Sequence, residues 1–197
     1  MIKAVIFDVN GVFLESEFLS DRLAKDFGIP ALEVFAALKA IMPLVRRPEA
    51  PSCYQLWEPY LERWKVSLDE KEFFDYWFSG EHLVPEVVKY AQQLRKRVNV
   101  YLLSNNFRER TIYYRQHYPE LFAAVNKAYF SWETGFVKPE EMAWKNILKE
   151  NKLLPQQCVY FDNDEENVAA AREFGLYAEH WKGLKQAKGV LEKLLHE

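Results

Sequence analysis

Ala4-Val5-Ile6-Phe7-Asp8-Val9-Asn10-Gly11-Val12 is the stretch from which the fold is read. Four apolar residues in a row read as a short strand buried on both faces, as central strands of parallel sheets are. The run stops at a carboxylate, Asp8. Asn10-Gly11, two residues on, is a turn signal that leaves the strand little room to continue. Open α/β sheets bind ligands at the carboxyl ends of their central strands. Asp8 therefore stands where a nucleophile or a metal ligand is placed. Read alone, it is equally an Asp that caps a turn.

The chain downstream supports the parallel-sheet reading. From Glu86 onward, helix and strand alternate. Helical patterns cover Glu86 to Arg97, Arg108 to Gln116, Pro119 to Ala124, Glu140 to Glu150 and Glu165 to Phe174, and a last helix starts near Leu184. Between them, Val98 to Leu103, Lys127 to Trp132, Cys158 to Phe161 and Leu176 to Glu179 read as strands. That alternation means βαβ units and a parallel sheet with helices on both faces. Phe13 to Leu83 shows no strand alternation and reads as four helical patches. They are Ser16 to Phe27, Ala31 to Ile41 (ended by Pro43), Tyr54 to Trp64 (kinked or started by Pro59), and a fourth to Phe78, N-capped by Asp69 with Glu72 three residues on. The expectation is an α/β protein: a Rossmann-like core from residues 1–14 and 84–197, with a helical cap inserted at 15–83.

Composition narrows the function. The chain has 197 residues, 49% of them hydrophobic, enough for a real core. Its formal charge of −3 argues against a nucleic-acid partner, and it carries no Gly-rich phosphate loop. Cys53 and Cys158 make neither a disulfide framework nor a metal spacing. With no signal peptide and no apolar run of membrane-spanning length, a soluble cytoplasmic protein without a membrane partner is expected. Oligomeric state is not legible.

Four segments finish in polar residues: Asp8 with Asn10, Ser104 with Asn105, a stretch leading to Lys138, and Asp162 to Asp164. Each has an ordinary explanation as a turn residue, a helix cap or a surface lysine. Parallel strands, however, present all their carboxyl ends on one edge, so these groups are expected to meet there. Asp8-x-Asn10-Gly11-Val12, then Leu103-Ser104-Asn105, then Gly135-x-x-Lys138-Pro139, then Phe161-Asp162 with Asn167 downstream resembles the haloacid dehalogenase-like hydrolase superfamily. All four motifs stand in order across essentially the whole chain, and the helical insertion looks like that family's C1-type cap.

The resemblance implies a Mg²⁺-dependent phosphomonoester hydrolase acting on a small phosphorylated metabolite. Asp8 would be the nucleophile, forming an aspartyl-phosphate. Ser104, Asn105 and neighbouring backbone N–H groups would hold phosphoryl oxygens, and Lys138 would offset the gathered negative charge. Mg²⁺ would bind the Asp8 carboxylate, the Asn10 carbonyl and the Asp162 carboxylate. Family phosphatases carry an acid/base Asp where this chain has Asn10, and an amide cannot donate or take that proton. Slow turnover is expected. Asn163 stands where many relatives have a second acidic residue, a loss of charge expected to weaken Mg²⁺ binding unless Asp164 or Glu166 compensates through water. Three explanations of Asn10 stay open: a natural change in a weakened phosphatase or in a phospho-ligand or protein binder, a substitution introduced to trap a complex, or chemistry needing no acid, as in 2-haloacid dehalogenases. Those dehalogenases usually lack a metal, whereas Asp162 is kept.

The aromatics from Tyr54 to Phe78 read mainly as the insertion's own core. Arg46-Arg47, between Pro43 and Pro48, reads as a solvated loop pair within reach of an anionic substrate. His82, His117, His180 and His196 read as structural or surface residues.

Overall fold

The structure is a computed structural model that describes residues 1–196. In chain order its elements begin with strand β1 (Ala4–Phe7), strand β2 (Leu14–Ser16), and helices α1 (Leu19–Phe27), α2 (Ala31–Val45), α3 (Cys53–Arg63) and α4 (Glu70–Phe78). Strand β3 (Glu81–Leu83), helix α5 (Pro85–Leu94), strand β4 (Asn99–Ser104), helices α6 (Arg108–His117) and α7 (Pro119–Ala123) and strand β5 (Lys127–Phe130) follow. Then come α8 (Ser131–Thr134), α9 (Glu141–Asn151), strand β6 (Cys158–Asp162), α10 (Glu165–Glu173), strand β7 (Tyr177–His180) and α11 (Leu184–His196).

Five strands form one sheet in the order β5-β4-β1-β6-β7, every pair parallel. The apolar run of β1 is central because both of its edges are paired. Phe7 stands beside Leu102 on one side and Phe161 on the other. Alternation sends successive side chains to opposite layers. Val5, Phe7, Val100, Leu102, Val159 and Phe161 pack with residues of α5, α7 and α11. Ala4, Ile6, Tyr101, Leu103 and Tyr160 pack with α9 and α10. Each large apolar side chain so buried contributes about 1.5–3 kcal/mol. The α/β class and the Rossmann-like parallel sheet are as expected. From β1 the chain crosses first to β4 on one side and later to β6 on the other, so the switch point lies at the end of β1.

The insertion departs from expectation at its neck. Leu14–Ser16 and Glu81–Leu83 pair antiparallel as a two-stranded ribbon, with Leu14 opposite Leu83 and Ser16 opposite Glu81. Two strands of three residues are too short for a period-2 pattern to register, and pairing partners so distant in sequence leave no local turn signal. Between them α1 to α4 enclose their own core, with Leu23, Val34, Ile41, Trp57, Phe73 and Phe78 buried in it. Helix α2 also runs past Pro43, because Val45 continues the buried stripe of Val34, Ala37 and Ile41 and packing holds the last turn. Pro59 lies inside α3, which starts one residue before expectation. The capping box of α4 forms as its spacing implies: Glu72 N–H donates to Asp69 Oδ1 at 2.8 Å, and Asp69 N–H to Glu72 Oε2 at 3.0 Å. Strand β5 stops at Phe130, where a single helical turn replaces the expected Ser131 and Trp132.

Trp77 and Phe78 of α4 meet Phe107 at ring-centroid distances of 5.3 and 6.0 Å, and Phe78 meets Tyr113 at 5.2 Å. This aromatic contact seats the insertion over the carboxyl end of the sheet.

Candidate active site

Asp8 follows β1 directly, its N–H donating to the Phe161 carbonyl at 2.8 Å, so the sheet itself sets its place. Asp162 ends β6 next door. Lys138 arrives from the loop after α8. Its ammonium donates to Asp8 Oδ1 at 2.7 Å and to Asp162 Oδ2 at 2.6 Å, and all three side chains are buried. Ser104 is the buried last residue of β4, the strand on the other side of β1. Asn105 is committed elsewhere: its amide donates to the Lys138 carbonyl at 2.8 Å and accepts from the Lys138 N–H at 2.8 Å. Its side chain thus positions the Lys138 backbone.

Asp162 is held by more than Lys138. Its Oδ2 also accepts from the Tyr160 hydroxyl and from Asn167 Nδ2 at 3.1 Å, and its Oδ1 from the Asp164 N–H at 2.9 Å. Tyr160 escaped the sequence reading, although two residues before Asp162 on one strand is the same-face position. Gly11 bends the β1 loop with φ +81°, and a Cβ there would lie 2.2 Å from Asn163 Nδ2. The loops after β1 and β6 are therefore packed against each other, which holds Asp8 and Asp162 in one frame.

Two carboxylates around one ammonium leave a buried negative charge in excess. Burial and the charge of Asp162 push the Asp8 carboxyl up to about 6, with Lys138 pulling the other way. Burial disfavours the Lys138 ammonium, but Asp8 and Asp162 together outweigh it and hold its pKa above the ordinary value. The excess charge suits a cation. Lys138 engages one oxygen of each carboxylate, so Asp8 Oδ2 and Asp162 Oδ1 keep lone pairs for an ion, with the Asn10 carbonyl nearby in the chain. Among the described residues, no three of His, Cys, Asp and Glu cluster tightly enough to hold a metal by themselves. Two carboxylates, a carbonyl and water are a set that Mg²⁺ accepts.

Asn10 lies in a network that the sequence reading did not foresee. Its Nδ2 donates to the Tyr114 hydroxyl at 2.7 Å and to Glu81 Oε2 at 3.4 Å, and its Oδ1 accepts from Asn106 Nδ2 at 3.3 Å. The Tyr114 hydroxyl donates to the same Glu81 oxygen, and Arg110 forms an ion pair with the other one. Burial, with Glu81 alongside, keeps the Tyr114 phenol well above its usual pKa despite Arg110. Glu81 is brought here by β3, the strand missed at the neck, which is why the network stayed hidden.

Arg46 and Arg47 do not form a solvated pair. Arg47 is exposed and ties the insertion to the core, donating to the Gly135 carbonyl at 2.9 Å and to Glu140 Oε1 at 2.6 Å. Arg46 turns inward and lines a cavity of about 770 Å³ between the insertion and the sheet edge, together with Asn10, Gly11, Trp77 and Arg110. His82, His117 and His180 join no metal-binding group among the described residues; the side chain of His196 lies outside them.

A family model described as haloacid dehalogenase-like hydrolase matches residues 2–175. Among solved structures, the chain is similar to a HAD family enzyme from Bacteroides thetaiotaomicron, crystallised with magnesium and inorganic phosphate. That likeness has 20% identity, covers 92% of this chain and 95% of that one, and has a TM-score of 0.80. A predicted HAD-like family hydrolase from Porphyromonas gingivalis is 20% identical over 100% and 99% of the two chains, with a TM-score of 0.80. A HAD phosphatase from Thermococcus onnurineus is 15% identical over 98% of both, with a TM-score of 0.65. At these identities the solved structures speak for the fold. No helix among the described residues is long and apolar enough to cross a membrane.

Proposed function

The chain belongs to the haloacid dehalogenase-like hydrolases, and from that premise we propose that it hydrolyses a phosphomonoester of metabolite size through an aspartyl-phosphate on Asp8. The carrying observation is the Lys138 ammonium, shared at 2.7 and 2.6 Å by Asp8 and Asp162, whose strands flank one another at the sheet's switch point. The neighbour crystallised with magnesium and inorganic phosphate supports the choice of ion and of a phosphoryl group as the one transferred.

In this reading an Asp8 oxygen attacks phosphorus and the ester P–O bond breaks, the bonding pair leaving with the alcohol oxygen. Water then attacks the phosphoryl group, the acyl-phosphate P–O bond breaks, and Asp8 returns as a carboxylate while inorganic phosphate departs. Lys138 holds the attacking carboxylate in place and offsets the charge gathered at phosphorus. Ser104 and the backbone N–H groups after it hold phosphoryl oxygens. Asp8, Asp162 and the Asn10 carbonyl would hold Mg²⁺, which when bound neutralises phosphoryl charge. Asn10 supplies no proton to the leaving oxygen and takes none from the water, so both transfers fall to solvent. Assistance of that kind is worth about 10²–10⁴ in rate, and turnover is accordingly slow. The insertion, residues 15–83, acts as the cap that closes over the substrate. Two free buried cysteines, Cys53 and Cys158, fit a reducing cytoplasm.

One observation favours a second reading, a binder of phosphorylated ligands with little turnover: the Asn10 amide is fully engaged, as if built in. A dehalogenase has less support, since halide departure gives no use to the four donors that orient Asp162. The test is p-nitrophenyl phosphate turnover with and without Mg²⁺. Mg²⁺-dependent release of phosphate, abolished in Asp8→Asn, sustains the hydrolase. Phosphate binding without turnover sustains the binder, and halide release from 2-haloacids the dehalogenase.

A further inference from the structure

The charge inside the cleft is unevenly matched. Arg47 is paired with Glu140, but Arg46, its neighbour, has no carboxylate within ion-pair distance and its buried Nε has no hydrogen-bond partner among the described residues. Arg110 faces the same cavity. It is anchored from behind by Glu81 and by Ser16 Oγ at 3.4 Å, and its own Nε is likewise unpartnered among the described residues. Burial and the charge of Arg110 work against the Arg46 guanidinium, and Asp8 is near enough to favour it. The carboxylates on the cavity wall do not compensate: Glu17 turns to Arg22, with a separation of 3.5 Å, and Asp164 caps α10.

An inward guanidinium without a counter-ion is costly, and its planar fork matches the two oxygens of a carboxylate or phosphate. The cavity, about 770 Å³, has room for more than a phosphoryl group. The rest of the lining includes apolar Phe35, Leu38 and Met42, from the same helix that Arg46 caps, and Trp77 of α4.

We propose that Arg46, backed by Arg110, forms a second anion subsite in the cavity that Asn10 and Gly11, on the loop that follows Asp8, also line, so that the substrate is a phosphomonoester carrying a further acidic oxygen group, a carboxylate or a second phosphate. This rests on the phosphoesterase reading of Asp8. The reacting phosphoryl group lies with Asp8, Ser104 and Lys138, and the second acid meets the cap. Closure of the cap and recognition of the second charge are then one event, because Arg46 is carried by α2 and Arg110 by α6.

The test compares kcat/KM for glycerol 3-phosphate, 3-phosphoglycerate and fructose 1,6-bisphosphate in the wild type, Arg46→Gln and Arg46→Lys, with melting curves confirming the fold. The expected result is a preference for one of the two acidic esters over glycerol 3-phosphate that shrinks about 10–100-fold in Arg46→Gln, the worth of a charge-assisted hydrogen bond, and returns in part in Arg46→Lys. Which acidic ester is preferred tells carboxylate from phosphate. An unchanged preference overturns the proposal. So does an equal loss on all three esters, which would put Arg46 on the reacting phosphoryl group. Calorimetric binding of the same three esters separates the two readings. If no ester is turned over but 3-phosphoglycerate or the bisphosphate binds tighter than glycerol 3-phosphate through Arg46, the subsite stands and the hydrolase reading falls. Equal binding of all three overturns the subsite.

Discussion

Lys138 Nζ lies 2.7 Å from Asp8 Oδ1, a residue 130 positions earlier in the chain. The same nitrogen reaches Asp162, so a single ammonium sits between two buried carboxylates. Removing it leaves the two buried carboxylates facing each other with no ammonium between them.

Lys138→Met is therefore expected to destabilise the metal-free protein at pH 7 by about 3–5 kcal/mol, the usual cost of breaking a buried ion pair from one side. Turnover falls by about 10²–10³. Added Mg²⁺ recovers stability in part, because it supplies positive charge to the same carboxylates, but not the rate. Urea titrations with and without Mg²⁺, beside the activity assay, check both halves.

The Asp8 carboxyl gives a pH signature. Its value in the folded protein, about 6, lies above the ordinary carboxyl value of 3.8, so the folded state binds this proton more tightly than the unfolded state. The stability it contributes is fully present below pH 3.8 and is lost as pH rises through about 6. Asp8→Asn does not suffer that loss. Without metal, the variant is expected to be more stable than the wild type at pH 7, by roughly 1–3 kcal/mol at about 1.4 kcal/mol per pKa unit. The difference should vanish near pH 4. With Mg²⁺ the order narrows or reverses, since the ion stabilises only the form that binds it. Thermal melts across pH, with Mg²⁺ and with chelator, read this directly.

Asn10 faces Glu81 and Tyr114 with its donor end, so a carboxylate there would meet another carboxylate. Asn10→Asp alone is expected to raise turnover by less than the roughly 10²–10⁴ that acid–base assistance supplies, and to lower the melting temperature. Combining it with Glu81→Gln removes the repulsion, and the rate is expected to rise further. Kinetics of the two single variants and the double variant form a cycle whose coupling term measures the Asn10–Glu81 contact.

What the sequence made legible follows from how local each signal is. β1 was plain because Ala4 to Phe7 is an unbroken apolar run ending in Asp8. The α/β class followed from alternation after Glu86, and the capping box of α4 from Asp69 and Glu72. The edge on which Asp8, Ser104 and Asp162 fall follows from strand polarity alone. The neck ribbon was not legible, because its three-residue strands carry no period and pair only through the fold. Everything that ribbon delivers was hidden with it, including Glu81 beneath Asn10 and its links to Tyr114 and Arg110. Arg46 was misread because Pro43 suggested the end of a helix that packing at Val45 carries onward. Tyr160 was within reach, since it shares a strand face with Asp162.

The most direct measurement is an acid quench of the wild type during turnover of a phosphomonoester with Mg²⁺, followed by peptide mass spectrometry. Because Asn10 leaves the second step without a base, a phosphoryl group is expected to accumulate on the peptide holding Asp8, to be released by hydroxylamine, and to be absent from Asp8→Asn. Sustained phosphate release with no modified Asp8, or turnover that survives in Asp8→Asn, would contradict the account.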